Sequence, residues 1–509
     1  MDVRSDLRVI HTNFNWKHAS LLLTVLFAAL YPLFRHVVDI DAIGYITVAR
    51  HYATGDWHDA INGYWSPLNS WLMVPFVSMG FNGVMCFKIA NLVFAIGALY
   101  QAQRLLRQFS FTSRQHSAIL LTAMIMVLSY AMVQLAADML FVWIFLWYVN
   151  EATHADLVYD TKLNARLGLI AVIGFFAKTY GGVFFVMHFS FLHLFWVPLI
   201  QRKGWHLKNY SAGMLAFLPL VLVWMALLFH KYHIISFGYS GQLNWSWVLK
   251  GGQPDYQPFF YPPPYAGATS RWVDPFYSQA TLSTPFQSKE LLVKGLRLVG
   301  FNIKNAFWST LWTSILSPVL LGWLLVKVRM EKSLIPFTTI IILFPLVYLL
   351  IFVEERYLWP LSILLLIASC VLLHESELRK KWIWGLLLLS FIPGPVIRMA
   401  DAAGNDKEVA LLTNAIQEQQ LKGPFTSTDS GEWMHKAAFL TGNVFYGIVH
   451  PFKRWEDLEI ACKAIGIKTI CIGAKNRDEA IQFLSSAFYN KYQQSTSQIE
   501  GRYLWVTRL

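Results

Sequence analysis

Along its length the chain alternates long apolar runs with short basic connections, and after residue 399 it changes to a mixed pattern. Apolar runs fall at 18–38, 84–103, 117–136, 138–153, 167–178, 181–200, 211–230, 306–328, 334–353, 357–374 and 382–399. At a rise of about 1.5 Å per residue, runs of this kind suit a hydrocarbon layer about 30 Å thick, and they predict about 11 membrane spans. The stretch 167–200 is the ambiguous one, because 34 apolar residues make a helix of about 51 Å, too long for one upright span. Lys178, followed by Thr179-Tyr180-Gly181-Gly182, predicts a break between two short spans with the lysine at the outer rim. A single bent span would move every later basic connection to the wrong side of the membrane.

Beyond residue 399 the segments FTSTD, NVFYGIV, KTICIG and RYLWVTRL read as strands, and 405–421, 431–441, 455–465 and 477–488 read as helices with polar faces. Strands alternating with helices predict a small α/β domain in water. The expected fold class is therefore an α-helical polytopic membrane protein with a small C-terminal α/β extracytoplasmic domain, divided as 1–400 and 401–509. Three connections are long and aromatic, 39–83, 231–305 and 400–509, and belong outside. The connection 231–305 is Pro- and aromatic-rich and is expected to be irregular or extended rather than helical. No internal repeat and no low-complexity tract is evident.

Composition supports this reading. The 509 residues are 55% hydrophobic and 14% charged, with a mean hydropathy of +0.42, whereas soluble domains carry about 25% charged residues. The net charge of +12 would suit nucleic acid, but its distribution argues otherwise. The basic residues cluster at Arg4, Arg8 and Lys17; Arg104, Arg107 and Arg114; Lys162 and Arg166; Arg202, Lys203 and Lys208; Lys327, Arg329 and Lys332; and Arg379, Lys380 and Lys381. Short basic connections of this kind face the cytoplasm. No cleavable signal peptide is expected, since the first apolar run lacks a small-residue cleavage site after it and reads as an anchor. Four cysteines are too few for a disulfide scaffold. Cys86 and Cys370 read as packing residues; Cys462 and Cys471 either pair or stay as buried thiols.

Motifs for nucleotide-driven transport, zinc proteolysis and serine hydrolysis are absent. What remains is a set of ionisable groups at the outer ends of spans: Asp39 and Asp41 after the first, Asp138 between the third and fourth, Lys178 at the break, and Glu354, Glu355 and Arg356 between the ninth and tenth. Charges at membrane depth cost about 2.5–3.5 kcal/mol each on insertion scales, so they tend to mark functional sites. The topology expects all of them on one face. A carboxylate there suits proton abstraction from an acceptor hydroxyl, and cations suit a phosphate leaving group whose charge grows as its bond breaks. At an effective dielectric of about 20, one cation about 4 Å away interacts with that charge by about 4 kcal/mol.

The pattern Asp41-x-x-x-Tyr45-x-x-x-Ala49-Arg50-x-Tyr52-x-x-Gly55-Asp56, followed by Gly63-Tyr64-Trp65-Ser66-Pro67-Leu68 and Ser70-Trp71-Leu72, resembles the first external loop of GT-C glycosyltransferases. The nearer likeness is to the branch of dolichyl-phosphate-mannose protein mannosyltransferases and aminoarabinose transferases. GFFAKTYGG resembles that family's apolar run ending in a lysine, ERYLWPL its late Arg-Tyr segment, and AADMLFVWIF the setting of its second acidic position. Ala42 stands where the family commonly has Glu, and Ser66-Pro67-Leu68 replaces its paired prolines. The likeness covers residues ~10–400 in architecture and these short patches in sequence.

The resemblance implies a sugar moved from a polyprenyl-phosphate-linked donor to an extracytoplasmic acceptor (protein, lipid or glycan) with inversion. Asp41 would be the base with Asp39 beside it. Lys178, Arg356 and Tyr357 would hold the donor phosphate, with Asp138, Tyr45, Tyr64, Trp65 and Glu355 in support. A divalent cation beside the carboxylates is left open. The expected setting is a bacterial plasma membrane, with the endoplasmic reticulum as alternative.

Plainer readings stand beside these. For Asp41 the plainer reading is a helix N-cap or a solvated charge at a span end, ranked behind the base, and Lys178 or Lys88 can snorkel. Asp138 can pair with a nearby cation, and Glu355 with Arg356. Asp56, His58 and Asp59 read as a solvated turn, with His58 able to join a carboxylate on a metal. The aromatic connection 231–305 serves either as an interfacial belt or as a platform on which sugar faces stack. Asn244-Trp245-Ser246 is a glycosylation sequon by pattern. A transporter or flippase of lipid-linked sugars is the rival function, although it would want inverted repeats and charges at the midplane. A membrane-anchored scaffold is the third reading.

Overall fold

The computed structural model describes residues 14–509 apart from 155, 158, 201–205, 250–259, 278–282, 328–334, 377–379, 429–431, 449–453, 475 and 500–503. The expected cytoplasmic residues Arg4, Arg8, Arg202, Lys203, Arg329, Lys332 and Arg379 lie outside the described residues. The chain divides into two units, one of Met1–Pro32, Lys88–Leu227 and Pro285–Asp401, the other of Leu33–Phe87, Leu228–Thr284 and Ala402–Leu509.

The first unit is helical. Among the described residues six helices are long and apolar enough to cross a membrane, or up to seven if a bent pair counts as one span. The described parts of the expected apolar runs fall largely on helix, although several of those helices, such as Asp138–Ala152 and Thr161–Ala177, are short, and 382–399 is interrupted between Leu389 and Pro393. Local chemistry sets the ends. Thr112 and Gln115 form a capping box at the start of Ser113–Val133, and Asp160 accepts from the amides of Lys162 and Leu163 ahead of Thr161–Ala177.

One expected span is corrected. The run 306–328 is not a single helix: Lys289–Thr313, which begins inside the expected connection 231–305, bends by 102° into Ser317–Lys327. Pro318 lacks the N–H that would continue the ladder past Ser314, so the helix ends before it.

Glu151, near the C-terminal end of Asp138–Ala152, is shared by Arg104 at 3.1 Å and by Arg166. Both arginines come from expected cytoplasmic connections. Asp138 begins the same helix, about 20 Å away along its axis. That helix thus separates Glu151 and its two arginines from Asp138 at its other end.

The second unit contains a two-stranded and a four-stranded sheet. The strands are β1 Phe260–Tyr261, β2 Phe425–Ser427, β3 Gly447–Ile448, β4 Thr469–Gly473, β5 Thr496–Gln498 and β6 Leu504–Arg508. β1 pairs antiparallel with β3; the larger sheet runs β2-β4-β6-β5, with β2 parallel to β4 and the other pairs antiparallel. The segment 401–509, expected as a C-terminal α/β domain, falls in this unit together with 33–87 and 228–284. Helices Lys407–Glu418, Glu432–Leu440, Trp455–Ala464 and Arg477–Leu484 lie within its predicted helical segments.

Alternation along β4 splits its side chains between two cores. Cys471 enters the cluster with Phe425, Leu412 and Val506, whereas Ile470 and Ile472 join Cys462, Phe483 and Trp505 in the other. Cys462 and Cys471 therefore belong to separate cores and are free thiols. The open alternative resolves in favour of buried, unpaired cysteines.

Candidate functional site

Asp138 is the first residue of helix Asp138–Ala152 and is 4% exposed, so its carboxylate sits at the positive end of the helix dipole. Two cations share it. Lys178 Nζ donates to Oδ1 at 2.5 Å, and Arg356 Nη1 faces Oδ2 at 3.7 Å. A buried carboxylate requires such partners, because burying a bare charge is costly.

Lys178 stands at the expected break. Helix Thr161–Ala177 ends there, Lys178 is extended (φ −154°, ψ 118°), and Thr179–Ser190 follows at once. Gly181 permits the tight reversal, since a Cβ on it would lie 2.7 Å from the Gly174 carbonyl oxygen. The Lys178 ammonium rests 3.9 Å from the centre of the Tyr357 ring and 5.8 Å from that of Tyr348. Tyr180, Tyr348 and Tyr357 form a stacked series, with centroids 3.7 and 5.0 Å apart.

Arg356 and Tyr357 lie on the 3-10 turn Glu355–Leu358. Glu354 Oε2 accepts from Arg356 Nε at 2.6 Å. The expected pairing of Glu355 with Arg356 is corrected: Glu355 pairs with Arg398, on helix Pro393–Ala402. The Arg398 guanidinium lies 5.5 Å from the Tyr130 ring and 6.0 Å from that of Trp359, which stack on each other at 4.2 Å. Sequence reasoning missed Arg398, although a lone arginine after the apolar stretch WIWGLLLLSFIPGPVI was a visible signal.

This unit therefore brings together Asp138, Lys178, Arg356 and Tyr357, with Glu354 and Glu355 on the same turn. Two cations side by side, one buttressed by aromatic faces, make a setting in which an anionic oxygen cluster can replace carboxylate contacts with charge-assisted hydrogen bonds of its own.

Asp39, Asp41, Tyr45, Tyr64 and Trp65 belong to the other unit. The plain reading of Asp41 as an N-cap is corrected, since Asp39 caps helix Ile40–Thr54 by accepting from the Asp41 amide at 2.8 Å. A capping role is thus taken by its neighbour, and Asp41 sits half-buried in the first turn. Tyr45 is buried against Trp65 and Phe87, with ring centroids 5.0 and 6.1 Å away. Trp65 is also buried; its Nε1 donates to the Trp272 carbonyl at 2.8 Å. Tyr64 donates to Asn244 Oδ1 at 3.3 Å. In the sequon, Ser246 is 0% exposed and its Oγ receives the Ser283 amide, so Asn244-Trp245-Ser246 is packed into the unit. The aromatic connection is likewise built inward: Arg271 lies 3.5 Å over the Tyr261 ring, and Tyr239 stacks on Phe276 at 3.9 Å. Part of it is helical, at Ser240–Leu249, against the expectation of irregular chain. The remaining cation of that expectation, Lys88, is buried and faces the Tyr31 ring at 5.6 Å.

His58 is exposed and stands beside a carboxylate, as a solvated turn would place it, but the group that could hold a metal ion takes His51 instead. His51 is the buried histidine, with Nδ1 2.9 Å from Asp56 Oδ2, whereas His58 is exposed and touches Asp59 at 3.0 Å. Burial disfavours ionisation of Asp56, but the Asp59 amide and the His51 ring outweigh it and hold the carboxyl below its ordinary range. Among the described residues, His51, Asp56 and Asp59 form the group that could hold a metal ion, with one ligand atom from each within 4.8 Å of the others.

No family model matches the chain, and no curated protein matches it. Among solved structures it is similar to ArnT from Cupriavidus metallidurans bound to undecaprenyl phosphate, with a TM-score of 0.53, 12% identity, and 96% of this chain and 97% of that one covered. The apo state of the same protein gives a TM-score of 0.51 at 12% identity, covering 96% and 98%. The Archaeoglobus fulgidus oligosaccharyltransferase in complex with Zn and sulfate gives 0.48 at 10% identity, covering 89% and 68%. At this identity the ArnT likeness speaks for the fold alone: the chain has the fold of that protein over nearly its whole length.

Proposed function

We propose that the chain is an integral membrane glycosyltransferase that moves a sugar from a polyprenyl-phosphate-linked donor to an extracytoplasmic acceptor, with inversion. The observation that carries this reading is the sharing of one buried carboxylate, Asp138, between Lys178 and Arg356 at the start of helix Asp138–Ala152. A resting site whose cations are already paired stays folded when empty, and offers both cations to a phosphate on binding. The same fold in ArnT accommodates undecaprenyl phosphate, which supports a lipid phosphate here.

In this reading Lys178 and Arg356 hold the donor phosphate, and Tyr357 orients the lysine through its ring face. As the sugar–phosphate bond breaks, negative charge accumulates on the phosphate oxygens and these contacts strengthen, which is the condition for accelerating the chemical step. Asp41 takes the proton from the acceptor hydroxyl as its oxygen attacks the anomeric carbon from the face opposite the phosphate. Asp39 fixes the helix turn that carries Asp41.

Incubation of the purified protein with labelled polyprenyl-phosphate sugar and a crude envelope acceptor fraction tests this. Label should move covalently to acceptor, and Asp41→Asn should lower turnover at least about 100-fold while leaving donor binding intact. Full activity in a normally inserted Asp41→Asn protein would refute the assignment of the base. Label that crosses vesicle membranes with no covalent transfer would point to the transporter instead.

A further inference from the structure

We propose that Arg398 is a positioning residue for the anion site, holding Glu355 away from Arg356; the inference rests on reading Lys178 and Arg356 as the phosphate ligands. Arg398 grips both sides of the segment that matters. It pairs with Glu355, the residue before Arg356, and its guanidinium lies 6.0 Å from Trp359, two residues after Tyr357. Tyr130, stacked on Trp359, closes the other side at 5.5 Å. Residues 356 and 357 are thereby held in a turn whose flanks are both tied to helix Pro393–Ala402.

Charge gives the pairing its purpose. Lys178 and Arg356 already face the carboxylates of Asp138 and Glu354. Glu355 adjoins Arg356 in sequence and would add a third. An incoming phosphate would then have to displace more negative charge than the cations can repay. With its side chain 14% exposed, Arg398 removes that carboxylate from competition. Glu355 is its ion-pair partner, and the Tyr130 hydroxyl also interacts with the guanidinium.

Binding of undecaprenyl phosphate to the full-length protein in detergent tests the idea. Arg398→Gln should weaken binding by on the order of tenfold, because the freed Glu355 turns on Arg356. Removing the freed charge as well, in the Arg398→Gln/Glu355→Gln double variant, should restore affinity to within about threefold of wild type. Thermal unfolding of each variant separates a purely structural arginine, which would lower and restore stability in step with binding, from the positioning role, in which binding changes at unchanged stability. Wild-type affinity in Arg398→Gln, or a double variant as weak as Arg398→Gln, overturns the proposal. Should Arg398→Gln not fold, the double variant and Glu355→Gln carry the test, and a loss of binding in both overturns it. Lys178→Gln and Arg356→Gln serve as references: if neither weakens binding, the phosphate-site reading itself fails, whereas a failure confined to Arg398 leaves that reading standing.

Discussion

A carboxylate shared by two cations makes Asp138 sensitive to the loss of either charge type. Asp138→Asn leaves Lys178 and Arg356 facing each other in a buried setting, and thermal unfolding in detergent should report a loss of about 3–5 kcal/mol. Asp138→Asn combined with Lys178→Met should recover part of it, giving a coupling that additive effects cannot produce. Glu459 offers a pH-dependent counterpart away from the membrane. Burial opposes its ionisation, but Lys463 and Lys491, each at 2.6 Å, and Tyr492 at 2.8 Å outweigh it and hold the carboxyl at about 2. An unfolded glutamate titrates near ~4.3. The native pKa is depressed, so the stabilisation is complete above that value and is lost as pH falls toward 2. Glu459→Gln should therefore melt below wild type at pH 7, and the gap should close in acid. At this scale the charges themselves were legible: Asp138, Lys178 and Arg356 stand out because ionisable residues are rare in apolar sequence. Their partners were not. Glu355 turned to Arg398 rather than to the arginine beside it, and the buried His51 met Asp56 although no sequence signal had singled it out, because pairing depends on which elements the fold brings together.

Among the elements, helix Ile40–Thr54 shows packing overruling intrinsic preference. Gly44 in its interior is a poor helix former, yet a Cβ there would stand 2.5 Å from Trp65 Cε2. That indole cannot easily withdraw, since its Nε1 is bound to the Trp272 carbonyl. Gly44→Ala should thus destabilise by about 1–3 kcal/mol in a denaturation measurement, despite a gain of up to about 1 kcal/mol in helix propensity. Most elements could be read from pattern. The apolar runs became helices, and the predicted strands at 425–429, 468–473 and 502–509 contain β2, β4 and β6. Two failures have physical causes. The hydropathy of 306–328 masked the consequence of Pro318, which sets a bend where a continuous span was expected. Strand β5, Thr-Ser-Gln, carries no apolar alternation and exists because the edge of β6 offers it hydrogen bonds.

For the molecule as a whole, the sequence marked out the three connections 39–83, 231–305 and 400–509 and the change of pattern after 399, but assigned only 401–509 to a domain of its own; the second unit is built from 33–87, 228–284 and 402–509 together. Their ties are specific. Asp406 accepts from the Val38 amide and from Lys436, each at 2.9 Å, and the Phe445 amide donates to Thr269 at 2.8 Å. β1 has β3 as its partner. Deleting 402–509 should consequently expose 228–284 to protease, read by limited digestion and mass spectrometry; unchanged protection would show that the earlier stretches suffice alone. The same arrangement imposes a schedule on biosynthesis. Residues 33–87 leave the ribosome early, but the partners of Val38 and Thr269 emerge only after residue 402. At roughly 5–20 residues per second that is a wait of some 15–60 s. During it a newborn Trp- and Tyr-rich surface is unfinished, which makes production yield depend on chaperones and translation speed more than on the stability of the finished protein.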